Sequence, residues 1–426
     1  MIADSNKTEP LIDKLEELLD EYDRNPGSEN SESIREALSL AGVLSSAVRV
    51  ENALDRFAMD EESMEQAVKF IDLALKAVKS GTGPLLGERE QLYLTYNIGK
   101  IYQKHGHYER ALEDYEVALD LSEKLVEVKI QAQTLKEMGE IHCRLNKWDA
   151  SLEFYKRGRT ILEKIGDQKG LSDVLSGMGI VSYERGNFQQ ATNYYSQALN
   201  IAKSLDYTHM VTHIHNNLGI IYTIQGEFDK AIKQYHECIL GYQSLGDMRG
   251  LAQTYNNLGM VYGDKKDLTR ASECYEESLK ISRKIGDFAL MAIIYLNRAE
   301  LYLELSDYTM AANYCARAYR LCCSLDDFLG LGEVTKILGI IFTQKEEWSA
   351  AEKFFKESLK LNEKYESPLS LAETRYKMGL MYKRKGDTEE AVNMFQSAFE
   401  GFSALEAKED LAKVQKELTI LEQKQS

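Results

Sequence analysis

The chain has 426 residues with 68 acidic and 52 basic side chains, a formal net charge of −16. This balance disfavours a nucleic-acid partner, because such binding depends on Lys and Arg side chains that neutralise phosphates. No apolar run reaches membrane-spanning length and no apolar signal-peptide core is present, so we expect a cytoplasmic protein without a membrane partner. The six cysteines form no CxxC pair, and neither a zinc site nor a disulfide scaffold is indicated.

The first 87 residues differ from the rest of the chain. Acidic side chains predominate here, and Leu11, Leu15 and Leu18 form the apolar stripe of a first helix. Glu61–Lys79 keeps the spacing of small and apolar residues that recurs further along the chain. We therefore interpret residues 1–87 as an acidic helical N-terminal cap with one degenerate repeat.

A repeating pattern follows, and its period is forty residues. The stretch around Leu258-Gly259 contains an aromatic Tyr262, a small Ala271 and a second aromatic Tyr275. A period of this size, held without an insertion, predicts an array of stacked units. Equivalent positions to Gly259 are Gly99, Gly139, Gly179, Gly219, Ala299, Gly339 and Gly379.

Each unit is predicted to be a pair of helices. Glycine in the middle of a helix costs about 0.5–1 kcal/mol relative to alanine, so its recurrence predicts close packing by a neighbouring helix. The Gly-Asp turns, such as Gly246-Asp247, favour a left-handed residue that ends one helix and an N-cap that begins the next.

The pattern L-G-x2-Y…A-x3-F/Y resembles that of the tetratricopeptide repeat (TPR) superfamily over residues 88–406. The forty-residue period is longer than the usual period of about 34, as in Pins-type, kinesin-light-chain-type and bacterial signalling arrays. The resemblance implies an all-α fold, a right-handed superhelical solenoid of antiparallel helix pairs with helical caps at both ends. It also implies that the first helix of each pair lines a groove for a protein or peptide.

The last segment, residues 407–426, predicts an amphipathic capping helix. Leu411, Val414, Leu418 and Leu421 lie on one face of this helix and charged residues on the other. Such a helix would cover the end of the last repeat.

The groove positions that the resemblance implies contain a column of asparagines two residues before the repeat glycine. A carboxamide donates and accepts hydrogen bonds at once, so such a column suits the backbone of an extended peptide. The alternative is that these amides bond neighbouring helices. The column and its groove neighbours comprise Asn97, Asn217, Asn257 and Asn297, with His213, Ile220, Met260, Lys336 and Lys377.

Two kinds of residue in this groove have competing interpretations. Lys336 and Lys377 are candidate partner contacts, but acidic neighbours also allow a solvated face of mixed charge. His209, His213 and His215 have the spacing of a weak metal pair, without the glutamate of a zinc peptidase. We favour a structural role for them.

The sequence contains no catalytic or phosphate-binding motif, so we predict no enzyme activity, no metal and no cofactor. The favoured function is a monomeric scaffold or adaptor that binds an extended peptide or partner helix. One alternative is a peptide-responsive bacterial regulator acting through the N-terminal segment. Another is a metal-dependent enzyme built on the histidine cluster.

Overall fold

The computed structural model describes residues 88–405 and 407–425, so the predictions for residues 1–87 lie outside the described residues. The described part contains seventeen helices and no strand, which confirms the predicted all-α class. No helix in this part is both long and apolar enough to cross a membrane. The helices are α1 (Glu88–Lys104), α2 (Tyr108–Lys124), α3 (Val128–Arg144), α4 (Trp148–Ile165), α5 (Gln168–Glu184), α6 (Phe188–Ser204), α7 (Thr208–Ile224), α8 (Phe228–Leu245), α9 (Met248–Asp264), α10 (Leu268–Ile285), α11 (Phe288–Glu304), α12 (Tyr308–Ser324), α13 (Phe328–Gln344), α14 (Trp348–Lys364), α15 (Pro368–Lys385), α16 (Thr388–Ala404) and α17 (Lys408–Gln425).

The chain divides into two compact units, residues 1–210 and residues 211–426. In the first unit, α1 packs on α2, α3 on α4 and α5 on α6. In the second unit, α9 packs on α10, α11 on α12, α13 on α14 and α15 on α16. The odd-numbered helices α9, α11, α13 and α15 also contact one another in sequence, so they form one wall of the second unit.

The Gly-Asp turns have the geometry predicted from the sequence. Gly246 ends α8 with a left-handed φ of 70°, which glycine adopts without a Cβ clash. The side chain of Asp247 then accepts a hydrogen bond of 2.9 Å from the backbone N–H of Gly250 and caps α9. This turn fixes where α9 begins, and hence which of its residues face the wall.

The glycine within each first helix is a close-packing point, as predicted. A Cβ built on Gly259 would lie 2.7 Å from a ring carbon of Tyr275 on α10, well inside van der Waals contact. The repeat that carries Ala299 instead of glycine is informative, because Cys315 replaces the aromatic ring at the position of Tyr275. Both Ala299 and Cys315 are fully buried. A small residue therefore replaces the ring where the extra methyl group is present.

The last helix, α17, packs at the end of the second unit. Val414 and Leu421 are buried, and the half-buried Leu411 and Leu418 pack against the same apolar cluster. This cluster includes Phe395 of α16. The apolar face identified in the sequence is thus the face that α17 turns towards the protein.

Candidate binding cleft

A cleft of about 340 Å³ opens on the wall of the second unit, between α7, α8, α9 and α11. We call it the amide cleft, because four of its side chains are carboxamides. Helix α9 contributes the most residues to it. The lining consists of Asn216, Tyr242, Gly250, Gln253, Asn256, Asn257, Met260, Leu290 and Ile293.

Helical periodicity explains why α9 dominates the amide cleft. Gly250, Gln253, Asn257 and Met260 are spaced three or four residues apart, so they share one face of the helix. Gly250 also determines the width of the cleft at one end. A Cβ at this position would lie 2.5 Å from the ring of Tyr242, so glycine lets α9 and α8 approach closely.

The asparagines in and beside the amide cleft are not equivalent. Asn256 is buried, and its side-chain oxygen accepts a hydrogen bond of 2.9 Å from Asn297 on α11. Asn217 lies 3.5 Å from the ring nitrogen of His213. Asn257 is half-buried in the cleft lining, and its side chain makes no hydrogen bond to any residue of the described ranges. Its carboxamide is therefore available to a partner.

Apolar side chains lie beside this free amide. Met260 and Ile293 are 44% and 48% exposed, whereas Leu290, at the end of the same cleft, is only 5% exposed. Such exposed apolar surface inside a cleft costs free energy in water and is recovered when a partner covers it. Ile220 on α7 is half-buried and lies outside the cleft lining.

Tyr242 adds a hydrogen-bond donor to the amide cleft. Burial raises the pKa of Tyr242 to about 12, with the neighbouring Cys238 and Asp247 adding to the shift. The phenol therefore keeps its proton at neutral pH. The amide cleft thus presents neutral donors and acceptors next to apolar surface, a composition that suits a peptide backbone with apolar side chains.

A different chemistry occupies the same wall at α11, α13 and α15, and we call this region the charged wall. Lys336 on α13 is only 5% exposed, and its ammonium lies 2.6 Å from both Glu333 and Glu373. Burial disfavours the ammonium, but these two carboxylates outweigh burial and raise the pKa of Lys336 above its usual value. The lysine predicted as a partner contact is thus already paired within the protein.

Lys377 on α15 is half-buried and differs from Lys336. Burial, followed by the adjacent Lys336 ammonium, lowers the pKa of Lys377 below its usual value. Its ammonium forms no salt bridge within the described residues, although Glu300 and Glu373 are near enough to interact electrostatically. Lys377 therefore remains a candidate for contact with a partner.

The remaining sequence candidates lie elsewhere. Asn97 is half-buried on α1 in the first unit and does not line the amide cleft. His215 is buried, with its Nδ1 atom 2.7 Å from the side-chain oxygen of Gln234 on α8. Within residues 88–405 and 407–425, no group of three or more His, Cys, Asp or Glu side chains is arranged to hold a metal ion.

The sequence reasoning missed several cleft residues that its own pattern could have found. Asn216 and Asn256 precede their repeat glycines by three residues, and Gln253 and Ile293 precede theirs, or the equivalent alanine, by six. The same offsets define the expected groove positions. Tyr242, Gly250 and Leu290 lie outside this pattern.

Comparison with known proteins identifies the repeat type. A family model of the MalT-like TPR region matches residues 179–400, and two further tetratricopeptide repeat models match residues 130–204 and 93–125. None of the curated proteins matches the chain.

Solved structures with a similar fold are distant in sequence. The aspartyl phosphate phosphatase F of Bacillus subtilis is 13% identical with a TM-score of 0.57, covering 88% of this chain and 95% of that chain. The apo form of RapI is 14% identical with a TM-score of 0.53, covering 65% and 99%. A Rap protein complexed with Competence and Sporulation Factor is 16% identical with a TM-score of 0.50, covering 87% and 100%. Because the MalT-like model spans more than half of the sequence, the chain belongs to the tetratricopeptide repeat superfamily, in the family of MalT-like TPR regions.

Proposed function

We propose that the chain is a non-catalytic, monomeric and cytoplasmic scaffold that binds an extended peptide segment in the amide cleft. The observation that carries this proposal is the carboxamide of Asn257. It lines the cleft without a hydrogen-bond partner among the described residues, between the exposed side chains of Met260 and Ile293.

A free carboxamide in such a place is suited to a peptide group. One side-chain amide donates to a carbonyl oxygen and accepts from an N–H, so it can pair with both polar groups of a peptide backbone. An amide buried in a complex without such a partner would cost about 1–3 kcal/mol. Asn257 would therefore hold the backbone, while Met260 and Ile293 would contact an apolar side chain of the segment.

Two further observations support a peptide or protein as the partner. The net charge of −16 disfavours nucleic acid. A Rap protein of similar fold was solved in complex with Competence and Sporulation Factor, which supports a binding role for this fold. The asparagine column becomes narrower in this proposal, because Asn297 is engaged by Asn256. Asn257 is the principal backbone contact.

The proposal is tested by selecting phage-displayed random dodecapeptides on the immobilised full-length protein. Calorimetry on a selected peptide should show that Asn257→Ala weakens binding by about 1–3 kcal/mol, because a peptide group loses its partner. Met260→Glu should change the apolar residue that the library selects. Thermal melts should show that neither substitution changes folding appreciably.

The matched control is Asn193→Ala, an exposed asparagine on α6 that does not line the cleft. This variant should bind the selected peptide as the original protein does. Full affinity in Asn257→Ala together with an unchanged peptide preference in Met260→Glu would contradict the proposal.

A further inference from the structure

The charged wall contains two charges that the protein itself does not pair. Lys336 is held by Glu333 and Glu373, so three of the five charged groups form a closed set. Glu300 on α11 forms no hydrogen bond or salt bridge with the described residues, and neither does Lys377 on α15. An uncovered carboxylate and an uncovered ammonium therefore flank the closed set.

Both of these charges are poorly stabilised where they lie. The Glu300 side chain is open to solvent but closely surrounded by protein, and this loss of hydration raises its pKa above the usual value. The nearby Lys336 offsets the shift only in part. Burial likewise lowers the pKa of Lys377. A partly desolvated charge is costly until an opposite charge pairs with it, so each group would gain from a partner.

The charged wall continues directly from the amide cleft. Ile293, which lines the cleft, and Glu300 are separated by seven residues on α11, so they lie on the same face of that helix. Two helical turns correspond to about 10 Å along the axis, the span of about three residues of an extended chain. Lys377 lies two wall helices further along, on α15.

We propose that the partner of this protein is a dipolar peptide segment, in which a basic side chain pairs with Glu300 and an acidic group pairs with Lys377. This inference rests on the proposed function, because the amide cleft fixes the apolar end of the segment. The basic residue lies about three positions from the apolar residue in the cleft, and the acidic residue lies beyond it. The order apolar, basic, acidic is the specificity that the wall encodes.

The test uses the random dodecapeptide library on full-length protein, with Glu300→Gln and Lys377→Met as variants. The original protein should enrich a basic residue next to the apolar one and an acidic residue further out. Glu300→Gln should lose the basic preference and Lys377→Met the acidic one. A peptide selected by the original protein should bind each variant about tenfold more weakly, as expected when one partner of a partly buried charge pair is removed.

The control variants are Glu277→Gln and Lys280→Met, which alter an exposed ion pair on α10. Both should keep the two charge preferences. Selection that depends on Asn257 and Met260 but has the same charges with Glu300→Gln and Lys377→Met would overturn this inference and leave the proposed function intact. Charge preferences that respond to Glu300 and Lys377 while ignoring Asn257 and Met260 would instead support the charge sites and refute the amide cleft.

Discussion

The amide cleft and the charged wall occupy equivalent positions of neighbouring repeats, yet they use their polar groups differently. Three residues before the repeat glycine, the cleft has Asn256 and the charged wall has Lys336. Both side chains are buried and bonded within the protein. At other wall positions, Asn257 and Glu300 have no internal partner among the described residues.

This difference shows that the repeat determines the core and leaves the wall free to vary. The same close contact between a glycine and an aromatic ring lies behind both regions, at Gly259 with Tyr275 and at Gly339 with Phe355. Helices positioned by that contact present either amides or charges. Each region also combines a polar group bonded internally, which stabilises the wall, with a polar group available to a partner.

The largest effect on stability is expected at Lys336. The substitution Lys336→Met should lower the free energy of unfolding by about 2–3 kcal/mol, because Glu333 and Glu373 would face each other without a cation. Partial exposure of both carboxylates keeps the loss below that of a fully buried pair. Urea unfolding at neutral pH measures the loss. The corresponding change in the cleft, Asn257→Ala, should cost under about 0.5 kcal/mol.

A compensating variant distinguishes this electrostatic cause from lost packing. Adding Glu333→Gln and Glu373→Gln to Lys336→Met should recover most of the stability, since no unpaired carboxylate remains. If the triple variant is as unstable as the single one, the lysine acts by filling space.

Substitution of the core glycines should affect the two regions equally. Gly259→Ala and Gly339→Ala place a Cβ 2.7 and 2.8 Å from ring carbons of Tyr275 and Phe355. We expect each to lower stability by about 1–2 kcal/mol, because overpacking exceeds the gain in helix propensity of alanine. Clearly unequal losses in urea would show that the regions differ in their cores as well as on their surfaces.

The Ala299 and Cys315 pair suggests a sharper version of this experiment. Tyr275→Cys should cost less stability in the Gly259→Ala background than in the original protein, because the smaller side chain makes room for the methyl group. Additive losses in the double variant would mean that the match between Ala299 and Cys315 has another origin.

The smallest effect is expected for Glu300→Gln, and its sign depends on pH. The pKa of Glu300 is raised in the folded protein, so ionisation of this group destabilises the fold. The variant should be more stable than the original protein at neutral pH by under about 1 kcal/mol, since water screens the exposed carboxylate. The difference should disappear below about pH 4, where the carboxyl group is protonated in both folded and unfolded states.

The opposite pH trend, with the original protein more stable at neutral pH, would show that Glu300 is paired within the protein. Thermal melts of both proteins across this pH range provide the comparison.

The sequence predicted the features that repeat. The glycine contact at Gly259 and the turn at Gly246-Asp247 follow from local steric requirements, which recur every forty residues and are visible in one chain. The expected groove offsets also contain Asn257 and Met260, which line the observed cleft. Their role in binding stays a prediction.

Features that depend on individual side chains were not predictable. Asn257 and Asn297 have the same repeat position, but only Asn297 bonds Asn256, because the rotamers of two helices decide that contact. Likewise, Lys336 and Lys377 appeared equivalent in the sequence. Only the packing of α13 against α15 shows that Glu373 pairs with Lys336.

Photo-crosslinking locates the partner most directly. A library-selected peptide is synthesised with a diazirine-bearing leucine analogue at its apolar position, irradiated with the full-length protein and mapped by mass spectrometry. Binding in the amide cleft predicts crosslinks to Met260 or Ile293 and their loss when unlabelled peptide competes. Competable crosslinks confined to the even-numbered helices α10 and α12, or to residues 1–87, would contradict binding in the cleft.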